Sequence, residues 1–259
     1  MSNTSKICWE QNAIHWSENL DLDNTRNLFG LPAFLNYVGD VKQKHILDVG
    51  CGEGTISRLL INNNAASVTG VDISESMIML AKSKELKSHN KINYFVSSFS
   101  NMTNLLKNQK FDIVISYMVL GCSDSLDSFF RQSFLALDSK GTLCFAVPHP
   151  CFQTKHSNWS KNDKDIVEGL LIRDYFDKSP YIRKWDFLAN ITKSQERKME
   201  EYKIHWTLSD YINRLIKKGF QLVSIDEPKP SLKAIKKQKR LERWNKHAAC
   251  FLFIKAIKP

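Results

Sequence analysis

The stretch Asp48-Val49-Gly50-Cys51-Gly52-Glu53-Gly54 places three of the chain's ten glycines within five residues. A Cβ at such positions would hold a ligand off the backbone and strain a tight turn, so a loop of this kind lets something approach closely. The spacing is G-x-G-x-G, with Thr55 where the dinucleotide fingerprint wants its third glycine, and Asp48 stands two residues ahead of Gly50. A carboxylate there is a poor neighbour for a pyrophosphate and a good one for a cationic ligand. Asp72, ending the next apolar run, is placed to accept both hydroxyls of a ribose. A glycine-rich turn alone says little; the acid, the glycines and the strand-end aspartate together say much more.

Few residues offer proton chemistry. His149 follows the fifth apolar run and His205 precedes the last regular helical pattern, while His15 sits in an aromatic amino-terminal stretch. Either of the first two is equally readable as a turn or backbone contact. Tyr117 ends the fourth run and is a contact candidate for the ligand. Cys151 reads as a small buried residue, and no cluster with metal-ligand spacing appears, so no metal is expected.

The elements that must position these residues begin at residue 45. His45–Val49, Ser67–Asp72, Ile92–Ser97, Phe111–Met118 and Thr142–Val147 read as strands, with helical patterns after Gly54, from Ser74 and across Leu126–Leu137. A helix over Ser209–Lys218 stops at Gly219, and Gln221–Ile225 and Ala249–Ile257 suggest a closing antiparallel edge hairpin. The expectation is an α/β, Rossmann-like sheet of seven strands, mostly parallel with an antiparallel edge strand, and helices on both faces. Residues 1–44 form an amino-terminal cap, and 45–259 the main domain, with a lid inserted at 150–206. All six tryptophans lie outside 45–148, which favours aromatic walls over a ligand site.

Charge and cysteine usage narrow the setting. The net charge of +10 is concentrated in residues 229–247, where eight Lys/Arg face one acid, so a general nucleic-acid surface is not indicated. That basic run reads first as a solvated loop or short helix, and second as a clamp for RNA phosphates or an acidic substrate. The six cysteines are scattered without a C-x-x-C pair, pointing to reduced thiols in a cytoplasmic protein. No membrane span or secretory signal is expected.

On these residues the chain resembles the class I S-adenosylmethionine-dependent methyltransferases. Motif I stands as ILDVGCGEG (46–54), the motif after it as VTGVDIS (68–74), and the fourth-strand motif as FDIVISYMVL (111–120). The resemblance covers essentially the whole chain. It is similar to a bacterial small-molecule branch whose fifth strand runs into a His-Pro-Cys-Phe turn, here His149–Phe152, followed by Asp174-Tyr175-Phe176, His205-Trp206-Thr207-Leu208 and Glu227-Pro228. The resemblance implies S-adenosylmethionine as cofactor, with Asp48, Gly50, Gly52 and Gly54 around its methionine part, Asp72 on the ribose and Ile73 against the adenine. The usual aspartate ending the third strand is replaced by Ser97-Ser98-Phe99, so Ser98 is left to hydrogen-bond the adenine and Phe99 to stack on it.

The implied reaction is in-line methyl transfer to oxygen or nitrogen of a small, aromatic or heteroaromatic metabolite. Trp16, His149, Tyr175 and Trp206 are expected around the acceptor, and His149 or His205 as its base. The Pro-Pro-aromatic tetrapeptide of amino-methylating enzymes is absent after the fourth strand, which reads Ser116-Tyr117-Met118-Val119. Two alternatives stand beside this reading: an RNA methyltransferase gripping phosphates with Lys236, Lys237, Lys239 and Arg240, and a non-catalytic cofactor-binding partner protein. A monomer or homodimer is expected.

Overall fold

A computed structural model describes residues 3–85, 91–107, 109–185 and 199–259. Helices α1 (Asn3–Asn19) and α2 (Leu31–Val38) precede the sheet. Strands and helices then alternate: β1 (His45–Val49), α3 (Thr55–Asn62), β2 (Ser67–Asp72), α4 (Glu75–Ser83), β3 (Ile92–Val96), α5 (Met102–Leu105), β4 (Phe111–Tyr117), α6 (Leu126–Ala136) and β5 (Leu137–Pro148). Two small antiparallel pairs follow, β6 (Asn158–Lys161) with β7 (Val167–Leu171) and β8 (Tyr181–Trp185) with β9 (Met199–Lys203). The chain returns to the sheet through α7 (Leu208–Lys217), β10 (Gln221–Asp226), α8 (Leu232–Lys237), α9 (Glu242–Lys246) and β11 (Phe251–Ile257). Of the insertion at 150–206, residues 186–198 lie outside the described residues.

The main sheet has the order β10-β11-β5-β4-β1-β2-β3, with β11 antiparallel to both neighbours and the other pairs parallel. The mostly parallel Rossmann-like sheet with an antiparallel hairpin at one edge is therefore what the chain forms. Its central strands are continuous apolar runs because both faces are covered. Ile46, Ile113, Ile115, Cys144 and Ala146 pack under Phe34, Val38, Ile56, Leu60 and Ile78. Their neighbours Leu47, Val49, Val114, Leu143, Phe145 and Val147 face Met102, Phe129, Phe130, Tyr211 and Leu215. The alternation of partners residue by residue is the period of two that a strand imposes.

Local chemistry sets the helix ends. Ser74 caps α4 by accepting from the Met77 N–H at 3.1 Å. Thr207 and Asp210 form a reciprocal capping box at α7, and Gly219 takes φ +95° just beyond it. Strand β5 starts at Leu137, five residues earlier than the sequence suggests, because α6 runs straight into it. No described helix is long and apolar enough to cross a membrane.

The chain leaves β1 for β2 and β3 on one side, then crosses back to β4 and β5 on the other. Such a reversal opens a crevice beyond the carboxyl ends of the strands, between the loops after β1 and β4. At Gly50, φ is +77° and an added Cβ would lie 2.3 Å from the Val119 side chain. Only glycine lets those two loops close on each other here.

Candidate active site

The loop after β1 is built around one acid. Asp72 Oδ2 accepts the Gly52 N–H at 2.9 Å, and Oδ1 accepts the Ser74 N–H at 2.9 Å. Burial raises its pKa against those backbone bonds. Glu53, also buried, behaves oppositely: burial opposes its charge, but Thr55, Lys84 and Arg58 outweigh it and hold the carboxyl below its ordinary range. Lys84 also reaches Ser17 of α1, while Glu10 of α1 accepts the Glu75 and Ser76 N–H groups at 2.6 and 3.0 Å. A carboxylate at the start of α4 is well placed against the helix dipole. The amino-terminal helix is thereby tied to the glycine loop through Lys84 and to the start of α4 through Glu10.

This loop floors a cavity of about 530 Å³. Gly50, Gly52, Asp72, Ile73, Phe99, Tyr117 and Trp16 are among the residues that line it. The lining also takes residues from four separate segments: Asp23 and Arg26 before α2, Arg183 on β8, Glu201 and Lys203 on β9, and Arg240, Arg243 and Trp244 around α9. The basic run is thus no simple solvated loop. Of its apolar residues Ala234, Ile235, Leu241 and Trp244 are buried and Leu232 is exposed, and Leu241, Trp244, Arg240 and Arg243 line the cavity.

Several expected contacts fall elsewhere. Asp48 lies beneath the loop, 1% exposed, where Ser57 donates to it at 2.7 Å and burial pushes its pKa up to about 7. Gly54 turns away from the cavity at φ +82°, where a Cβ would strike the Tyr94 hydroxyl and Arg58. Ser98 bonds Ser100 at 2.9 Å, and Ser97 lines the cavity in its place.

The residues expected as bases, and part of the expected acceptor wall, lie outside the lining of the cavity. His149 is buried outside the cavity: Nε2 meets Glu227 Oε1 at 2.6 Å, and Nδ1 accepts the Cys151 N–H at 3.2 Å. Both ring nitrogens are therefore committed to holding the turn after β5. Tyr175 accepts the Leu208 N–H at 3.1 Å and packs 5.5 Å from the His205 ring, while Trp206 donates to the Ser123 carbonyl at 3.0 Å. His205, Tyr175 and Trp206 do not line the cavity; they brace the root of the insertion against α7. Burial lowers the pKa of both His149 and His205. Substituting His149→Gln is expected to leave turnover essentially unchanged and to lower the thermal midpoint by a few degrees, the scale on which about 1 kcal/mol registers in a chain of this length. Melting curves beside a turnover assay check this, and a collapse of turnover in a folded variant would restore His149 to the chemistry.

The residues missed from sequence form two charged groups. Lys203 Nζ lies 2.7 Å from Glu201 Oε1, and Arg183 lies 2.8 Å from Glu201 Oε2. These two cations hold Glu201 down at about 2 despite its burial. Glu201 and Lys203 sit two apart on β9, the spacing of one strand face, a signal open to a sequence reader. In the second group, Asp23 accepts the Arg26 N–H at 3.0 Å, and burial raises its pKa against the charges of Arg26 and Arg183. Among the described residues, no cluster of His, Cys, Asp and Glu has the makings of a metal site.

Comparison with known proteins agrees with this architecture. The family model described as a methyltransferase domain matches residues 40–219. An uncharacterized protein of Haemophilus influenzae is 29% identical over 206 residues, covering 76% of this chain and 75% of its own. The ubiquinone biosynthesis O-methyltransferase of Coxiella burnetii is 41% identical over 155 residues, 59% of this chain, and the match spans 64% of that enzyme's length. A solved structure from Listeria monocytogenes, assigned as an S-adenosylmethionine-dependent methyltransferase, is 25% identical with a TM-score of 0.70, covering 88% of this chain and 96% of its own.

Proposed function

This chain belongs to the methyltransferase-domain family, and we propose that it transfers a methyl group from S-adenosylmethionine to an oxygen or nitrogen of a small metabolite. The observation that carries the proposal is the continuity of one cavity from Gly50, Gly52 and Asp72 to the aromatic and charged residues of the two extra segments. The cofactor fits the loop end. Above Gly52 a Cβ would meet nothing within 4 Å, leaving room for a ligand against the backbone. Each oxygen of Asp72 keeps a lone pair for a diol beyond its backbone bond. Ile73 and Phe99 offer apolar surface for a purine.

When bound, S-adenosylmethionine supplies a methyl group on a sulfonium, whose leaving group is already good. The chain's task is then mostly to hold acceptor and methyl carbon in line, an effect worth up to roughly 7–11 kcal/mol in favourable cases. Trp9 and Trp16, edge to face at 5.5 Å, join Tyr117 and Trp244 as walls suited to a flat acceptor. For an acceptor that carries a proton, we assign Asp23 as the group that takes it: it lines the cavity, and its raised pKa makes it a better base than an ordinary aspartate. Residues 1–44 and 150–206 act as the lids of this site. The O-methyltransferase name of the Coxiella relative favours oxygen as the methylated atom.

The test is incubation with methyl-labelled S-adenosylmethionine and a deproteinised cell extract divided into small-molecule and RNA fractions. Label is expected among the small molecules. Label in RNA would transfer the reading to the basic run, although of Lys236, Lys237, Lys239 and Arg240 only Arg240 lines the cavity, and Lys239 is paired with Glu242 at 2.8 Å.

A further inference from the structure

The cavity is electrically lopsided. Its floor is acidic, with Asp72 and Glu53 lining it and Asp48 buried just beneath. The lining residues from the amino-terminal, inserted and basic segments are cationic on balance. Leaving Arg240 aside, the described lining residues there are Arg26, Arg183, Lys203 and Arg243 against Asp23 and Glu201, a surplus of two positive charges. Glu201 is already shared by Arg183 and Lys203. Arg243 is held by rings and not by an acid: its guanidinium lies 4.7 Å from the Trp159 ring and 5.5 Å from that of Trp244, and its buried Nε has no hydrogen-bond partner. Arg240, exposed at the mouth, adds a like charge, and burial together with that charge depresses the pKa of Arg243 to about 10. Holding cations together in a half-buried wall costs free energy unless an anion compensates.

We propose that the methyl acceptor carries a carboxylate or phosphate group, and that Arg243 and Arg240, backed by Arg26, bind it and select for it. The inference rests on the methyltransferase reading of the cavity and names the substrate class. A planar guanidinium presents paired donors that match either anion, and two of them from one short segment give orientation as well as charge. The same residues explain why the basic run is folded over the cavity. Its remaining lysines at 229, 233, 236, 237, 239 and 246 are exposed and do not line the site. Inward arginines with outward lysines suit a small anion in a closed site better than a polymer laid across a surface.

The experiment uses the whole chain saturated with S-adenosylhomocysteine and titrates benzoate, phenyl phosphate and the neutral isostere benzamide by calorimetry. Binding of S-adenosylhomocysteine is measured first, and its absence would sink the cofactor reading before any anion is added. At least one anion is expected to bind tenfold or more tightly than benzamide, and the preferred one distinguishes carboxylate from phosphate. Arg240→Gln and Arg243→Gln should each weaken that anion at least tenfold, leaving S-adenosylhomocysteine affinity within twofold. Because Arg243 packs against two tryptophans, melting curves are recorded for each variant, and Arg243→Lys, which keeps the charge but loses the paired donors, should bind the anion more weakly than the parent and more tightly than Arg243→Gln. The proposal is overturned if benzamide binds as well as both anions, if neither anion binds the loaded protein, or if both glutamine variants bind as the parent does. A short RNA that displaces phenyl phosphate in an Arg240-dependent manner would also overturn it, in favour of a nucleic-acid surface.

Discussion

Replacing Asp72 with Ala is expected to weaken S-adenosylmethionine binding by about 10²–10⁴-fold. Two hydrogen bonds donated by a diol to a carboxylate are worth about 1.5–3 kcal/mol each, and each 1.4 kcal/mol is a factor of ten in affinity. Part of the loss would come through the loop, since Gly52 and Ser74 each donate a backbone N–H to this carboxylate. Asp72→Asn separates the two contributions, because its remaining carbonyl can hold the Gly52 N–H while the charge is gone. Affinity should also depend on pH. The carboxylate binds the diol in its ionised form, and burial has raised its pKa, so affinity falls as pH drops through a value above that of an ordinary aspartate. Calorimetry on variants with intact circular dichroism decides the matter, and parental affinity in Asp72→Ala would remove the residue from the site.

Asp23→Asn should leave cofactor affinity unchanged and lower turnover by about 10²–10⁴-fold, the usual worth of a placed general base. A base works deprotonated, so parental activity should climb with pH through the raised pKa of Asp23 and then level off. The asparagine variant should lack that rise. Once the extract assay has supplied an acceptor, pH–rate profiles of the two proteins give the answer. A variant with undiminished turnover would mean that the acceptor loses its proton without help, as an already ionised oxygen would.

The two halves of the site differed in how openly the sequence displayed them. The alternation from His45 to Val147 demanded a parallel sheet, and a parallel sheet dictates where its ligands sit. Gly50, Gly52 and Asp72 were legible because each is tied to the loop's backbone, the glycines by their φ angles and Asp72 by accepting its N–H groups, at positions fixed in a strand-turn-helix unit. Asp48 and Gly54 belong to the same motif but serve it from behind, a distinction of side-chain direction that spacing within a loop does not carry. The acceptor half was harder for the same reason. His149, His205, Tyr175 and Trp206 sit in irregular segments, and nothing periodic tells whether a side chain there enters the cavity or braces the chain. Arg26 and Arg243 were concealed in the opposite sense, as charges in sequence contexts that read as surface. Trp244 was the available clue, since a large ring inside a run of lysines needs somewhere dry to go.

The antiparallel strand β11 has a temporal consequence. Residues 251–257 lie between β5 and β10, and Phe251 and Phe253 provide the surface on which Phe29 and Phe34 pack, with ring centroids 5.2 and 5.4 Å apart. During synthesis the earlier strands emerge long before this one, and their contacts with it span much of the chain. Such contacts are slow to form and leave apolar edges uncovered in the interval. The apolar residues that flank Asp23 and Arg26 on the way to α2 therefore gain their packing surface only once β11 has been inserted.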